Sequence, residues 1–209
     1  MKSIKEEFFT DQEIVKKIKE GDKDAFCFIV DRYQKGLINF IFHMIGHYEE
    51  SLELCQEVFL KVYSNIDLYD RNYKFSTWIY KIASNLTIDH LRKSNPRTDS
   101  LDELNEDDEK KIDVKSEELD PIEKLEKKIV GKEIIDAIRS LDPHSRELII
   151  LRHIHFRSYE EIAKISNLPL GTIKNRIFRA RKELVKKLQK VEMKQNRGLK
   201  RIDKMEMKK

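Results

Sequence analysis

Residues Ser158–Leu188 read SYEEIAKISNLPLGTIKNRIFRARKELVKKL, and the C-terminal part of the chain is organised around them. Ser158, followed three residues later by Glu161, is a capping box, which predicts that a helix begins there. Asn167–Gly171 interrupts the apolar pattern, and Pro169 suits the first turn of a second helix. The stretch therefore predicts two helices separated by a tight turn.

The second of these helices has two opposed faces. Apolar residues recur along one face at steps of three and four, at Ile173, Ile177, Ala180, Leu184 and Leu188. The opposite face is cationic and also carries Asn175 and Phe178. This pattern is typical of a helix-turn-helix whose second helix enters a DNA major groove, where arginine and amide groups contact base edges and lysines contact phosphates. A surface helix with merely solvated charges is the alternative, but the capping box, the turn and the first helix favour DNA binding.

Composition places the chain among helical proteins with a strong internal charge asymmetry. Its 209 residues carry a net charge of +4, and only 39% are hydrophobic, with six glycines. Residues 164–209 contain 16 Lys/Arg against 4 Asp/Glu, a net charge of +12, whereas residues 99–128 contain 13 Asp/Glu against 6 Lys/Arg, a net charge of −7. The C-terminal end should therefore attract polyanions, and the middle of the chain should repel them.

Hydrophobic periodicity upstream predicts four helices, at about residues 10–21, 22–46, 49–66 and 75–93. The acidic run at residues 97–120, RTDSLDELNEDDEKKIDVKSEELD, has too few large apolar groups to fold alone. The predicted fold is all-α, with two small helical domains joined by a flexible acidic linker and a helix-turn-helix in the second domain. Its parts are a domain at 1–95, the linker at 96–120, a domain at 121–190, which should open with a helix starting at Asp120–Pro121, and a frayed or partly helical basic tail at 191–209.

Neither the N-terminus nor any apolar run reads as a signal peptide or a membrane span, so we predict a cytoplasmic protein. Cys27 and Cys55 form no CxxC pair and are predicted to be small buried hydrophobes. No phosphate-binding loop or nucleophile elbow is present. His43, His47 and Glu50 have metal-like spacing, but a structural role is favoured. We therefore predict no catalytic residue, no metal, no cofactor and no small-molecule substrate.

The loop at residues 67–74 and the helix after it place aromatic rings beside positive charge. Single strands bind in this way, with bases stacked on rings and cations on the backbone, and a flipped base also needs amide and hydroxyl partners. Phe75 and Trp78 fit better as core anchors, whereas Tyr73, Lys74 and Asn85 fit better as nucleic-acid ligands.

The outer face of the third helix carries acidic and amide groups beside a leucine, at Glu53, Gln56, Glu57 and Leu60. A solvated surface and a docking face for a basic groove both explain it, and the residues alone leave this open.

Two pairs of segments resemble a known family. ESLELCQEVFLKVYSNI (50–66) and FSTWIYKIASNLTIDHLRK (75–93) resemble the second conserved region of bacterial sigma factors. LDPHSRELIILR (141–152) and SYEEIAKISNLPLGTIKNRIFRARKEL (158–184) resemble their fourth region. With only a linker between these regions, the chain is similar to the extracytoplasmic-function (ECF) sigma factors, the minimal two-domain branch of the sigma-70 family.

The resemblance implies that the chain binds core RNA polymerase, through the coiled coil of the largest subunit and the flap region, and directs it to promoter DNA. It also implies restraint by an anti-sigma factor. The implied polymerase-docking residues are Glu53, Gln56, Glu57 and Leu60. The implied ligands of the melted minus-ten strand are Asn72, Tyr73, Lys74, Phe75, Ser76, Lys81, Ser84 and Asn85. The implied ligands of the minus-thirty-five duplex are Thr172, Lys174, Asn175, Arg176, Phe178, Arg179 and Lys182.

The chain departs from the family pattern at two places. Phe156-Arg157 stands where members usually have Gly-Leu, which predicts a local difference in that loop, since a glycine would ease the turn. Asn175 stands where the recognition helix usually has Ser, and its amide can pair with adenine. A stand-alone helix-turn-helix regulator is the second hypothesis, and an enzyme using His43 and His47 is a remote third.

Overall fold

The protein is described by a computed structural model that covers residues 9–94 and 131–206, with side chains up to Gln189. The all-α prediction is confirmed, since these two ranges contain helices and no strand. The helices are α1 (Asp11–Lys19), α2 (Phe26–Ile45), α3 (Tyr48–Ser64), α4 (Phe75–Ser94), α5 (residues 131–139), α6 (Pro143–Ile149), α7 (Tyr159–Ile165) and α8 (Leu170–Glu206). The predicted linker and the predicted helix start at Asp120–Pro121 lie outside the described ranges.

Helix α2 is the centre of the N-terminal domain (residues 9–94). Its inward side chains are fully buried, at Ile29, Leu37, Phe40, Ile41 and Met44, and α1, α3 and α4 all pack on it. The sequence predicted one continuous helix from Asp22, but a 3-10 turn, Lys23–Ala25, precedes α2, because the Asp22 carboxylate accepts a hydrogen bond from the Ala25 amide (3.2 Å). Gly46 ends α2 in the left-handed conformation, with φ of +92°.

The predicted helix-turn-helix is present in the C-terminal domain (residues 131–189). The capping box forms in full: the Ser158 hydroxyl accepts from the Glu161 amide (3.1 Å), and the Glu161 carboxylate accepts from the Ser158 amide (3.0 Å). Four residues separate α7 from α8, and Asn167 turns the chain with φ of +52°. The apolar face of α8 lies in the core, at Ile173, Ile177 and Ala180.

The segment between α6 and α7 carries two irregularities. A π turn, Ile150–Ile154, ends α6, and the His155 amide donates to the Ile150 carbonyl (3.0 Å). Phe156 then adopts φ of +51°, and its side chain is 83% exposed. The left-handed conformation is easy for glycine and costly for phenylalanine, so the Phe156-Arg157 departure places a non-glycine residue at a strained position.

Helix α8 is longer than predicted and continues to Glu206. The sequence predicted a tail that is frayed or only partly helical beyond Lys190. Lysine, glutamate, glutamine, arginine and methionine dominate this segment, and all of them are good helix formers, while Gly198 has the lowest helix propensity in it.

The two domains pack against each other, which the sequence did not predict. Helix α4 contacts α6 and α7, and α2 contacts α6 and the π turn. The buried side chains of both domains form one continuous cluster. The hydrogen bonds and cation–π contacts between the domains join residues that lie far apart in the sequence, so local spacing does not predict them.

The histidine and cysteine predictions have mixed outcomes. Glu50 pairs with His90 (2.9 Å), and His43 bonds to the Asn39 carbonyl (2.7 Å), so the metal-like spacing does not form a cluster. Within the described ranges, no group of three metal-ligating side chains lies together, and no helix is long and apolar enough to cross a membrane. Cys55 is buried, and burial raises the pKa of its thiol to about 11. The prediction for Cys27 was wrong, since Cys27 lies on the exposed side of α2.

Candidate nucleic-acid and polymerase interfaces

The cationic side of α8, here called the reading face, is open to solvent. Its exposed members are Lys174, Asn175, Arg176, Phe178, Arg179 and Lys182. Thr172, at the first turn, is half-buried. Phe178 is 68% exposed although it is a large aromatic residue, while Ile177 beside it is buried in the core. The reading face is thus a rigid cationic surface with one projecting ring.

The loop at residues 67–74 is braced by its own hydrogen bonds. The Tyr69 hydroxyl donates to the Tyr73 carbonyl (2.6 Å), and the Asp70 carboxylate accepts from the Asn72 amide (2.9 Å). Asn72, Tyr73 and Lys74 project into solvent, and Tyr73 is 48% exposed. These three residues have the exposure that strand binding requires.

Phe75 lies beneath this loop and not on its surface. It is 1% exposed, with its ring centroid 5.2 Å from Tyr69 and 5.5 Å from Trp78. Such a cluster fixes the loop through aromatic packing. In this conformation Phe75 supports the neighbouring residues and is not available to a strand.

A pocket of about 290 Å³ lies between α3 and α4. It is lined by Lys61, Asn65, Leu68, Trp78, Ile82, Asn85, Leu86 and Asp89. Of the predicted minus-ten residues, only Asn85 reaches this α3–α4 pocket. Asn65, Leu68 and Asp89 were not predicted as site residues. They lie close to Asn85 only because α3 packs on α4, which sequence spacing does not show.

The predicted minus-ten residues on α4 therefore divide between two sides of the helix. Asn85 belongs to the pocket side, with Trp78 and Asp89, whereas Ser76 and Ser84 lie on the opposite side, at helical spacing from Tyr80. Lys81 is half-buried between the two sides. Ser84 is 1% exposed, and its hydroxyl donates to the Glu147 carboxylate of α6 (2.5 Å).

The outer face of α3 is exposed at all four predicted docking positions, Glu53, Gln56, Glu57 and Leu60. Leu60 is 68% exposed, and Glu57 forms an exposed ion pair with Lys61 (3.4 Å). Such a pair contributes little to stability. The inner side of α3 is anchored by Leu54, Val58 and Val62, so the helix presents acidic groups and a leucine on a fixed support.

Comparison with known proteins identifies the family. Sigma-70 region 2 matches residues 29–97, and sigma-70 region 4 matches residues 131–184. The ECF RNA polymerase sigma factor SigW of Bacillus subtilis is 37% identical over 183 residues, which is 83% of this chain and 94% of the relative. The ECF RNA polymerase sigma-E factor of Haemophilus influenzae is 33% identical over 187 residues, 88% of this chain and 97% of that protein.

Two solved structures share the fold at 22% sequence identity. The structure of CnrH in complex with the cytosolic domain of CnrY aligns with a TM-score of 0.62, over 86% of this chain and 97% of that one. The sigma factor RpoE in complex with the anti-sigma factor NepR from Bartonella quintana aligns with a TM-score of 0.58, over 78% of this chain and 96% of that one. The chain belongs to the ECF sigma factors of RNA polymerase.

Proposed function

We propose that this chain places core RNA polymerase on a promoter by two separate DNA contacts, one to the minus-thirty-five duplex and one to the melted minus-ten strand. The observation that carries the proposal is the presence, in one chain, of the exposed reading face of α8 and of the α3–α4 pocket beside an exposed aromatic and cationic loop. We assign residues 1–95 to strand capture and polymerase docking, 96–120 to the linker, 121–190 to duplex reading, and 191–209 to a basic tail.

The reading face has the chemical groups for direct readout in the major groove. Asn175 can pair through its amide with adenine, Arg179 can pair with guanine, and the Phe178 ring can contact a thymine methyl group. Lys174 and Lys182 then supply phosphate contacts, which position the helix without reading sequence. Burial of the opposite side of α8 in the core supports this role, because it fixes how the helix is presented.

The α3–α4 pocket has the composition of a site for a flipped base. Trp78 offers a ring for stacking, and the side chains of Asn65, Asn85 and Asp89 offer hydrogen-bonding partners for a base edge. Lys61 lines the same pocket and can neutralise a backbone phosphate. Tyr73 and Lys74 are proposed to hold the strand next to this pocket.

The exposed face of α3 is proposed to dock on the coiled coil of the largest polymerase subunit. Its acidic groups suit a basic groove, and Leu60 supplies an apolar contact within it. The flap region is the proposed contact of the C-terminal domain. Since the RpoE relative is bound to an anti-sigma factor, we also propose that an anti-sigma factor restrains this chain.

Transcription in vitro with purified core polymerase on genomic DNA fragments tests the proposal and maps the promoters. We expect specific transcripts that require both core and this chain. Transcripts that do not depend on the chain, or tight specific duplex binding by the free chain that blocks transcription, would instead support a stand-alone regulator.

A further inference from the structure

Helix α1 donates two side-chain hydrogen bonds to the backbone of the loop at residues 67–74. The Gln12 amide group donates to the carbonyl of Arg71 (3.0 Å), and the Lys19 ammonium donates to the carbonyl of Asp67 (3.1 Å). Gln12 and Lys19 are seven residues apart, which is close to two helical turns, so both side chains lie on the same side of α1. One helix thus holds the loop at two points.

These two points fall in two successive turns of the backbone. The Tyr69 amide closes the first turn by donating to the Ile66 carbonyl (3.2 Å), and the Tyr73 amide closes the second by donating to the Asp70 carbonyl (3.1 Å). In each turn, the carbonyl of the second residue accepts the hydrogen bond from α1. The two contacts therefore fix both turns relative to α1.

Each turn carries groups that the proposed function uses. Leu68, in the first turn, is 75% exposed and lines the α3–α4 pocket. Asn72 and Tyr73, in the second turn, are exposed strand ligands of the proposal. Lys19 therefore holds the turn that forms one wall of the pocket, and Gln12 holds the turn that presents the ligands beside it.

Helix α1 is itself fixed to the core of the N-terminal domain. Its inner side is buried at Ile14, Val15 and Ile18. A capping box closes its first turn: the Thr10 hydroxyl accepts from the Glu13 amide (3.3 Å), and the Glu13 carboxylate accepts from the Thr10 amide (2.7 Å). The two donors to the loop are thus exposed side chains on a well-anchored helix.

Asp11, in the first turn of α1, supports the loop from beneath. Its carboxylate accepts hydrogen bonds from the Tyr33 hydroxyl (2.6 Å) and the Arg32 guanidinium (2.5 Å) of α2. Burial raises the pKa of the Tyr33 hydroxyl, and the Asp11 carboxylate acts in the same direction, so this hydroxyl stays protonated and donates. The Tyr33 ring lies 5.6 Å from the ring of Phe75, which packs under the loop. Helix α1 therefore supports the loop through its carbonyls and through its aromatic base.

We infer that α1 positions the loop for strand capture, with Gln12 and Lys19 as positioning residues that hold its two turns in the conformation that the strand meets. The inference rests on the proposed function, because it states how that same loop is prepared. A loop that is already held in place loses less conformational entropy on binding, which raises affinity without any new contact to the ligand. Both side chains act through loop carbonyls and not by contact with DNA.

The test removes the two donors and leaves every proposed strand ligand intact. Lys19→Met removes the ammonium and keeps the apolar stem, whereas Lys19→Arg keeps a cationic donor. Gln12→Ala is combined with Lys19→Met to remove both contacts. The matched control is Lys16→Met, at an exposed lysine of α1 that pairs with Glu20 (3.7 Å). The double variant and the control each lose one positive charge, so a general electrostatic effect on DNA would be equal in both.

The probe is the fluorescein-labelled non-template strand of a promoter mapped by the transcription assay, and each protein is bound to core polymerase. We expect the double variant to bind the strand about 3–10-fold more weakly than the wild type, with Lys19→Arg and Lys16→Met unchanged. Equal affinity of the double variant and the control would overturn the inference and leave strand capture standing. A wild-type holoenzyme that does not bind the strand would refute strand capture itself, and the role of α1 with it.

Trp78 reports on the loop in the free chain. It is the only tryptophan in the sequence, and its ring lies 5.4 Å from the ring of Tyr69 at the end of the first turn. We expect acrylamide to quench Trp78 fluorescence more strongly in the double variant than in the wild type, with the control unchanged. Weaker strand binding without this increase in quenching would place the effect outside the loop and overturn the inference.

Discussion

The sharpest consequence of the packing between the two domains concerns acid. His155 is packed between Phe40 and Tyr80, and burial lowers the pKa of its imidazole to about 4, with the positive charge of Arg157 and the nearby His43 acting in the same direction. The Tyr80 hydroxyl lies 3.2 Å from His155 Nδ1, and the lowered pKa keeps this imidazole neutral at pH 7 while the domains are packed together. When the domains separate, the ring meets water and its pKa returns toward 6.5.

The sign and size of the effect follow from this pKa difference. Because the packing of the domains lowers the pKa of a base, the stability of this packing is fully present above pH 6.5 and is lost as the pH falls from 6.5 toward 4. A one-proton linkage between pKa values of 6.5 and about 4 gives a loss of about 2 kcal/mol at pH 5, which is roughly a 30-fold shift toward separated domains.

Energy transfer between dyes on Cys27, which is exposed on α2, and on Gln189→Cys, near the end of the described part of α8, measures this shift when it is compared at pH 7 and pH 5. His155→Phe is the matched variant, because it keeps a ring against Phe40 and Tyr80 but cannot take up a proton. We expect transfer to fall with acid in the wild type and to stay level in the variant. An equal acid response in both proteins would show that another group titrates and that the account of His155 is wrong.

Three further predictions concern single residues. Arg179→Ala should weaken polymerase binding to the minus-thirty-five element by about 1–3 kcal/mol in a band shift and leave binding to core unchanged in a pull-down. Arg181→Ala is the control. An equal loss of core affinity would refute the assignment of Arg179 to the DNA contact. Asn85→Ala should reduce strand opening in permanganate footprints more than closed-complex formation, and normal opening would exclude the α3–α4 pocket. Phe156→Gly should raise the free energy of unfolding by about 0.5–1 kcal/mol, because it relieves the strain of the left-handed backbone and the lost side chain is 83% exposed. A lower stability in urea would mean that the Phe156 ring contributes to the fold.

Local signals in the sequence predicted the helices well. The capping box at Ser158 and Glu161, the turn around Asn167 and the apolar side of α8 all follow from contacts within a few residues, and the structure confirms them. The departure at Phe156-Arg157 likewise pointed to a loop where the backbone takes a conformation suited to glycine.

Contacts between helices that are far apart in the chain could not be predicted from the sequence. Spacing placed Ser84 on a helix but could not show that Glu147, 63 residues away, accepts its hydrogen bond. Spacing likewise could not show that Asn65 and Asn85 line the same α3–α4 pocket. Cys27 was predicted as buried because it lies in an apolar run, although it points away from the core.

Site-specific photocrosslinking shows which DNA segment each of the two proposed contacts reaches. The photoreactive amino acid p-benzoylphenylalanine is placed at Phe178 or at Tyr73, since both side chains are exposed rings, and each protein is bound with core polymerase to a mapped promoter. We expect Phe178 to crosslink to the upstream duplex and Tyr73 to the non-template strand of the melted minus-ten segment. Crosslinks from both positions to the same DNA segment, or none from Tyr73 in a transcribing complex, would contradict the account.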